Sequence, residues 1–412
     1  SKISNLKIRK ISADSRKIQK GDLFVSIKGN KFDGNKFIDH AILKGAKVIV
    51  YSGLLKKKYN NINYIKTKNT REKLAEISSK YFKKKPKNII AVTGTNGKTS
   101  VSDFFHQIFT LNNKPVGLLG TLGFKKNSNL KKRQLTTLDS LNLHKDLEEM
   151  KKSKIDNVII EASSHGLVQK RLDFLNIKSG IFTNLSHDHL DYHKNMKNYF
   201  SAKLILFKKL LKKKSTIITD SEIKEYRVFE RLQKKRNLNL QSIGNFGNTF
   251  KILNHRIFNN YQLIKILHNK KKYNLKINLI GSIQIKNLFM AILACKICGL
   301  SIQNIFKVIN KIRSVNGRLE FIRCLPNQSK IFLDYAHTPE ALKNAIISLE
   351  EHFKKKITVI FGCGGERDKS KRKKMGEIVN KLCEKIIVTD DNPRNENPSK
   401  IRKQILKVID EG

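Results

Sequence analysis

Short apolar runs alternate along this chain with longer stretches whose apolar residues recur every three or four positions, the signature of strands alternating with amphipathic helices. Residues 23–27 (Leu-Phe-Val-Ser-Ile) and 47–50 (Lys-Val-Ile-Val) read as strands, with helical periodicity between them. The run Lys83-Lys84-Lys85-Pro86 reads as a linker, because a charge run and a proline both end regular structure. Beyond it, strands are predicted at 89–93, 158–162, 181–184 and 216–219, with helices between them. A further set begins near Gly317-Arg318, with strands at 331–334, 358–361 and 386–389. The fold class is therefore α/β, as three domains in series: 1–85, 86–316 and 317–412. The middle domain is expected to hold a mainly parallel sheet with helices on both faces.

Composition narrows this picture. With 412 residues, 39% of them hydrophobic and 22 of them Phe, each domain can bury its own core. The most apolar stretch, 288–300, is interrupted by Lys296 and is too short to span a bilayer. No charged-then-apolar leader opens the sequence, so a cytoplasmic protein without membrane insertion is expected. The five Cys are odd in number and lack zinc-type spacing. Cys295 and Cys298 imitate a CxxC but lie in an apolar, helix-like run, so they read as core thiols in a reducing compartment. A net charge of +50 raises nucleic acid as a partner. The Lys runs at 56–58, 83–85, 212–214, 270–272 and 354–356 are spread over the whole chain, however, and no basic stripe carries interleaved aromatics. Solvated surface is the better reading, in a field that favours small polyanionic substrates.

The chemistry concentrates at strand ends. Thr93-Gly94-Thr95-Asn96-Gly97-Lys98-Thr99 follows an apolar run and opens a segment with helical periodicity. Such a turn aims backbone N–H groups and a helix dipole at phosphate, Lys98 adds a point charge, and the Thr99 hydroxyl can hold Mg²⁺. Val92 stands where the standard pattern has glycine, so this is a shortened variant, Gly-x-x-Gly-Lys-Thr. Glu161 closes the strand Val158-Ile159-Ile160, at the sheet edge where open α/β sheets bind ligands. The stretch 187–193 packs three His and two Asp into seven residues, and with no Cys nearby it suits Mg²⁺ beside phosphates better than zinc. In the last domain a glycine-rich turn, 362–365, follows one strand, and Asp391-Asn392-Pro393-Arg394 follows another. There Arg394 is placed on a rigid turn, suited to grip a carboxylate bidentately.

Taken together, these segments resemble the Mur ligase family over nearly the whole chain. The resemblance rests on Ala13-Asp14-Ser15-Arg16 with Gly21-Asp22-Leu23-Phe24-Val25, on the loop 94–99, and on Glu161-Ala162-Ser163-Ser164-His165-Gly166-Leu167. It rests equally on 183–193, on Asp334-Tyr335-Ala336-His337-Thr338-Pro339 and on Gly362-Cys363-Gly364-Gly365. It implies a uridine-nucleotide-binding first domain, a P-loop ATPase in the middle and a Rossmann-like last domain. The implied reaction is ATP-dependent addition of an amino acid to the D-Glu γ-carboxylate of UDP-MurNAc-L-Ala-D-Glu through an acyl phosphate, a cytoplasmic step of peptidoglycan synthesis that serves cell-wall growth and division.

The implied ATP contacts are Gly94, Thr95, Asn96, Gly97, Lys98, Thr99, Asn287 and Arg318. Lys98, Glu161, His189 and Lys203 would be catalytic, with Thr99, Glu161, His189 and a carbamylated Lys203 holding Mg²⁺. Ser15, Thr136, Thr137, Ser163, Gln169 and Arg171 would bind the nucleotide-sugar peptide. The motif 391–394 resembles that of the branch adding meso-diaminopimelate, whose second carboxylate Arg394 can pair with, whereas the ammonium of L-lysine would be repelled. Arg367, Asp391 and Asn392 would help to hold it.

Two departures accompany the resemblance. Gly281-Ser282-Ile283-Gln284 stands where the family has Gly-x-Phe-Asn, and no Gly-x-Gly-His-Glu segment follows Arg394 before Gly412. The last domain is thus expected to be incomplete and its amino-acid binding weak. A monomer is expected, with no nucleic acid as partner. Other readings are a different Mur ligase, a folylpolyglutamate-synthetase-like amide ligase, or a basic P-loop protein on nucleic acid. Thr136-Thr137 and the Arg394 motif speak against the first two, and Glu161, His189 and Lys203 would be idle in the third.

Overall fold

The computed structural model describes residues 8–29, 33–55, 57–127, 129–131, 135–366 and 368–409. They form two compact units, one drawn from Ser1–Lys87, Thr137–Asp156 and His165–Asn176, the other from Asn88–Thr136, Asn157–Ser164 and Ile177–Gly412.

The first unit is built on a four-stranded parallel sheet in sequence order, Ile11–Ser12, Leu23–Val25, Val48–Tyr51 and Asn63–Lys66. Alternation along the strands sorts its core into two layers. Leu23, Val25, Val48 and Val50 face Leu74 and Ile77, while Phe24, Ile49 and Tyr51 face Ile38 and Ala41. Helix Thr70–Tyr81 starts where the Asn69 side chain accepts the Arg71 and Glu72 amides, a capping arrangement that satisfies donors the helix cannot. Helix Ser140–Lys152 packs against it. The expected strand at 23–27 ends at Val25.

In the second unit the described residues form an eleven-stranded sheet. Its heart is parallel: Gly117–Gly120, Asn157–Glu161, Asn88–Thr93, Ile177–Phe182, Thr216–Asp220 and Asn239–Gly244, in that spatial order. Every residue of Asn88–Thr93 is buried, which is why that strand reads as a continuous apolar run rather than an alternation. Helices Lys98–Leu111 and Ser282–Ile297 pack together over one face, on Ile90, Val92, Ile159, Ile181 and Ile218. Phe182, one residue on from Ile181, turns to the other face against Phe207 and Phe229. Strands Phe250–Ile257, Gln262–His268 and Lys271–Ile277 extend one edge, the last two antiparallel to their neighbours, where the sequence suggested strand-helix alternation.

Past Gly317 come an antiparallel hairpin, Glu320–Cys324 with Lys330–Leu333, and a parallel pair, Thr358–Phe361 with Lys385–Val388. Helices Pro339–Phe353, Ser370–Leu382 and Pro398–Leu406 cover one core of Leu342, Ile346, Phe361, Met375, Val379 and Ile401. All five cysteines are free thiols. Burial pushes Cys295 well up and Cys298 to about 12, so both are inert packing residues. Among the described residues no helix is long and apolar enough to cross a membrane.

Candidate active site

Strand Asn88–Thr93 delivers the chain into the loop 94–97, and helix Lys98–Leu111 begins directly after it. Gly97 caps this helix at φ +83°, and a Cβ there would stand 2.6 Å from the Asn287 Oδ1. Only glycine meets both demands. No side chain caps the helix, so its first amides stay available to an anion. The neighbouring strand end fixes the loop from the side. The Thr95 amide donates to the Asn184 carbonyl (3.0 Å), the Asn96 amide to Asn184 Oδ1 (2.9 Å), and the Thr183 hydroxyl to the Asn96 carbonyl (2.6 Å).

Two lysines converge on the loop, Lys98 half-buried and Lys203 fully buried. The Lys98 ammonium donates to the Gly94 and Thr95 carbonyls (2.9 and 2.7 Å), and the Lys203 amine donates to the Gly94 carbonyl at 2.7 Å. Burial pushes both pKa values down, that of Lys203 furthest, with the nearby Lys98 charge adding to the effect. Lys203 lies 4.3 Å over the Tyr199 ring.

Glu161 is wholly buried. Its carboxylate accepts the Thr99 hydroxyl (3.1 Å), the Thr121 amide (2.9 Å) and the Thr121 hydroxyl (3.0 Å), and burial raises its pKa although Lys98 pulls the other way. Thr121 in turn meets the Thr136 hydroxyl at 3.2 Å. A buried carboxylate beside a threonine hydroxyl is the hard oxygen set that Mg²⁺ prefers. The uncapped helix start and the buried Asn287 Oδ1, which has no partner, suit a nucleotide. Both groups therefore fit the residues present. Among the described residues no three His, Cys, Asp or Glu side chains come together as a metal-binding group.

His189 sits in the left-handed region at φ +52°. Its amide donates to Asp188 Oδ1 (2.9 Å), and its Nε2 lies 3.4 Å from Asp188 Oδ2. Burial works against the Asp188 charge, but His337, His189 and Lys371 hold its carboxyl far below the usual range. Beside it, His187 Nε2 meets Asp368 Oδ2 at 2.6 Å. Arg318 stacks over Tyr335 at 4.4 Å.

The last turn is built on close backbone contact. A Cβ on Gly365 would stand 1.8 Å from the Pro393 carbonyl oxygen, so only glycine lets loops 362–366 and 391–394 meet. The Gly365 amide donates to the Asn392 carbonyl (2.9 Å) and Arg394 Nη1 donates to the Gly365 carbonyl (2.6 Å). Asn392 Oδ1 accepts the Arg394 amide at 3.2 Å.

A cavity of about 460 Å³ gathers many of the expected residues. Thr95, Asn96, Gly97, Lys98, Thr99, Thr136, Ser163, His189, Lys203, Asn287, Arg318, Asp391 and Arg394 all line it. Glu161 stands behind Thr99, and Gly94 and Asn392 are hydrogen-bonded to Lys203 and Arg394, which line it. Arg367 lies outside the described residues. Ser15, Thr137, Gln169 and Arg171 belong to the first unit. In that unit the Ser15 hydroxyl meets His40 Nδ1 (3.1 Å), and Arg171 donates to the Thr137 carbonyl and to Gln169 Oε1 (2.7 Å). Sequence reasoning passed over Thr121, Asp188 and Lys371. Asp188 lay inside the His/Asp stretch it had marked, whereas nothing local distinguishes the other two.

A phosphate-type loop at the carboxyl end of a mostly parallel sheet, opening on a second α/β element, defines a P-loop α/β protein. Known proteins give the family. The Mur ligase family catalytic domain matches residues 7–82, the Mur ligase middle domain 92–295, and the Mur ligase glutamate ligase domain 317–411. The UDP-N-acetylmuramoyl-L-alanyl-D-glutamate–2,6-diaminopimelate ligase of Rickettsia montanensis is 36% identical over 410 residues, covering 98% of this chain and 84% of that protein. A solved structure of a ligase of the same name is 28% identical with a TM-score of 0.75, covering 98% of this chain and 82% of its own. MurF from Acinetobacter baumannii shares the fold at 16% identity and a TM-score of 0.70, covering 98% and 84%. The chain belongs to the Mur ligase family.

Proposed function

We propose that this chain is an ATP-dependent ligase that joins meso-diaminopimelate to the D-Glu γ-carboxylate of UDP-MurNAc-L-Ala-D-Glu through an acyl phosphate, a step of peptidoglycan precursor synthesis. The observation that carries this reading is one cavity whose lining runs from Gly97, Lys98 and Thr99 to Asp391 and Arg394. An ATP cradle and a carboxylate anchor open on the same space, as a ligase that activates one substrate and presents another requires. The names of relatives at 36% identity over 98% of the chain support the same substrates.

Each residue has a role in this reading. The loop 94–99 and the helix start hold the phosphates, with the Lys98 ammonium on the terminal ones and Asn287 and Arg318 at the nucleoside end. Bound Mg²⁺ supplies neutralisation of the charge that develops on phosphoryl transfer. Thr99, Glu161 and His189 hold it. Lys203 is carbamylated in this reading: burial disfavours its ammonium and so favours the uncharged amine that adds CO₂ with release of one proton, and the carbamate formed beside the Lys98 charge would join Thr99, Glu161 and His189 around Mg²⁺. Ser15, Thr136, Thr137, Ser163, Gln169 and Arg171 bind the nucleotide-sugar peptide. Arg367, Asp391, Asn392 and Arg394 bind diaminopimelate, and Arg394 selects it over L-lysine by pairing with its distal carboxylate. The domains of the reading are 1–85, 86–316 and 317–412, in a cytoplasmic monomer that neither inserts in membranes nor takes nucleic acid as a partner.

Phosphate release tests the assignment. It should require ATP, UDP-MurNAc-L-Ala-D-Glu and meso-diaminopimelate together, and should stop when EDTA removes Mg²⁺ and return on adding Mg²⁺ in excess. Release from ATP that ignores the UDP-dipeptide would overturn it.

A further inference from the structure

Arg372, on helix Ser370–Leu382, is 2% exposed, yet it does not line the cavity. Its guanidinium works as a fork. Nη1 donates to Glu396 Oε2 (3.0 Å) and to Gln404 Oε1 (2.8 Å), while Nη2 donates to Glu396 Oε1 (3.1 Å) and reaches the Gly364 carbonyl at 3.4 Å. Glu396 is used twice, since its Oε1 also accepts the Glu366 amide at 2.6 Å. Its own amide donates to the Pro393 carbonyl at 3.0 Å. The Arg372 fork therefore holds the carboxylate that ties loop 362–366 to the end of loop 391–396.

Arg394 depends on that tie. Its guanidinium rests on the Gly365 carbonyl, and its backbone is left-handed at φ +51°, a conformation that a non-glycine residue keeps only when its surroundings impose it. Asn395 Nδ2 adds a bond to Glu366 Oε1 (2.7 Å). If loop 362–366 shifts, the carbonyl under Arg394 shifts with it. A planar fork fixes direction as well as distance, which a lysine at 372 could not do. The hydrogen bonds from Arg372 and from the Glu366 amide hold the Glu396 carboxyl down, at about 2.

We propose that Arg372 and Glu396 are positioning residues for the amino-acid subsite: through the loop 364–366 they aim the Arg394 guanidinium, and so set affinity for a second amino acid that carries a carboxylate at its far end. This rests on the reading of Arg394 given above.

The test uses the full chain, as Arg372→Lys and Glu396→Gln. Arg372→Lys keeps the charge and loses the fork. Glu396→Gln keeps an acceptor for the Glu366 amide and loses the ion pair. KM for meso-diaminopimelate should rise on the order of tenfold or more in each, because a misplaced anchor weakens one substrate alone. KM for ATP and for the UDP-dipeptide should stay within about twofold of the parent, since neither residue faces them. A merely structural role would instead lower kcat and the folded fraction for all substrates together. Thermal melting with and without meso-diaminopimelate, compared with ATP, gives a second readout on whatever fraction folds: the diaminopimelate-induced rise should shrink while that from ATP persists. An unchanged KM for diaminopimelate, or an equal rise for all three substrates, overturns the proposal while leaving the ligase assignment standing. If the parent chain itself shows no diaminopimelate-dependent turnover, the assignment and this inference fall together.

Discussion

Gly97 and Arg394 both line the cavity of the proposed site, and each is there for a reason a single residue can state. An alanine at 97 would combine a left-handed backbone, costing about 1 kcal/mol or more, with a Cβ driven onto Asn287 Oδ1. Gly97→Ala should therefore lose ATP affinity by at least about tenfold in a direct binding titration; unaltered affinity would contradict the cradle. Arg394→Lys keeps the charge but not the bidentate geometry, and a charged hydrogen bond contributes about 1.5–3 kcal/mol. Its KM for meso-diaminopimelate should rise on the order of tenfold to a hundredfold with KM for ATP unchanged. Both positions were marked as candidates in the sequence because glycine spacing and a strand-end proline turn are local signals. Arg372 and Lys371 were not. In the sequence they sit in a lysine-rich stretch, and only the fold shows that one is buried on Glu396 while the other reaches Asp188.

Helices and strands were legible in proportion to how much of their surface is buried. The buried strands Asn88–Thr93 and Asn157–Glu161 stand within a residue of where their apolar runs placed them. The strand Asn63–Lys66 has no buried residue, and accordingly no pattern announced it. Helix Ser140–Lys152 shows the same limit differently. Its periodicity says that it has a buried face, but not that the face packs on Thr70–Tyr81 in the first unit. That face carries a titratable group. His144 is fully buried, and burial, helped by Lys85, pushes its pKa down to about 3. In the unfolded chain it titrates near 6.5, so between those values the unfolded state holds the extra proton. The contribution of neutral His144 to stability is therefore complete above pH 6.5 and is lost as the pH falls toward 3, at up to about 1.4 kcal/mol per pH unit. Urea unfolding at pH 7.5 and pH 5 should show His144→Leu losing less stability than the parent, by up to about 2 kcal/mol. Equal losses would show that His144 is not held neutral.

At the scale of the molecule, the fold class could be read from the order of strands and helices, because that order follows from local periodicity. The antiparallel strands after Asn239–Gly244 could not. Gln262–His268 alternates buried with more open positions, but Leu263 and Leu267 stand at open ones, and its pairing depends on neighbours that periodicity does not name. The net charge of +50 is likewise a property of the whole, spread in short Lys runs, while the charges of the proposed site are a few sheltered ones: buried Glu161, Asp188 and Lys203, and half-buried Lys98. Those four are separated by up to about a hundred residues in sequence and meet only because strand ends converge on the carboxyl edge of one sheet.

The choice of amino acid is the most direct test of that convergence. With ATP, Mg²⁺ and UDP-MurNAc-L-Ala-D-Glu, the chain should be offered meso-diaminopimelate and L-lysine in equal amounts and the product weighed by mass spectrometry. A UDP-MurNAc-tripeptide carrying diaminopimelate alone is the expected result. A product carrying L-lysine, or no tripeptide with either amino acid, would contradict it.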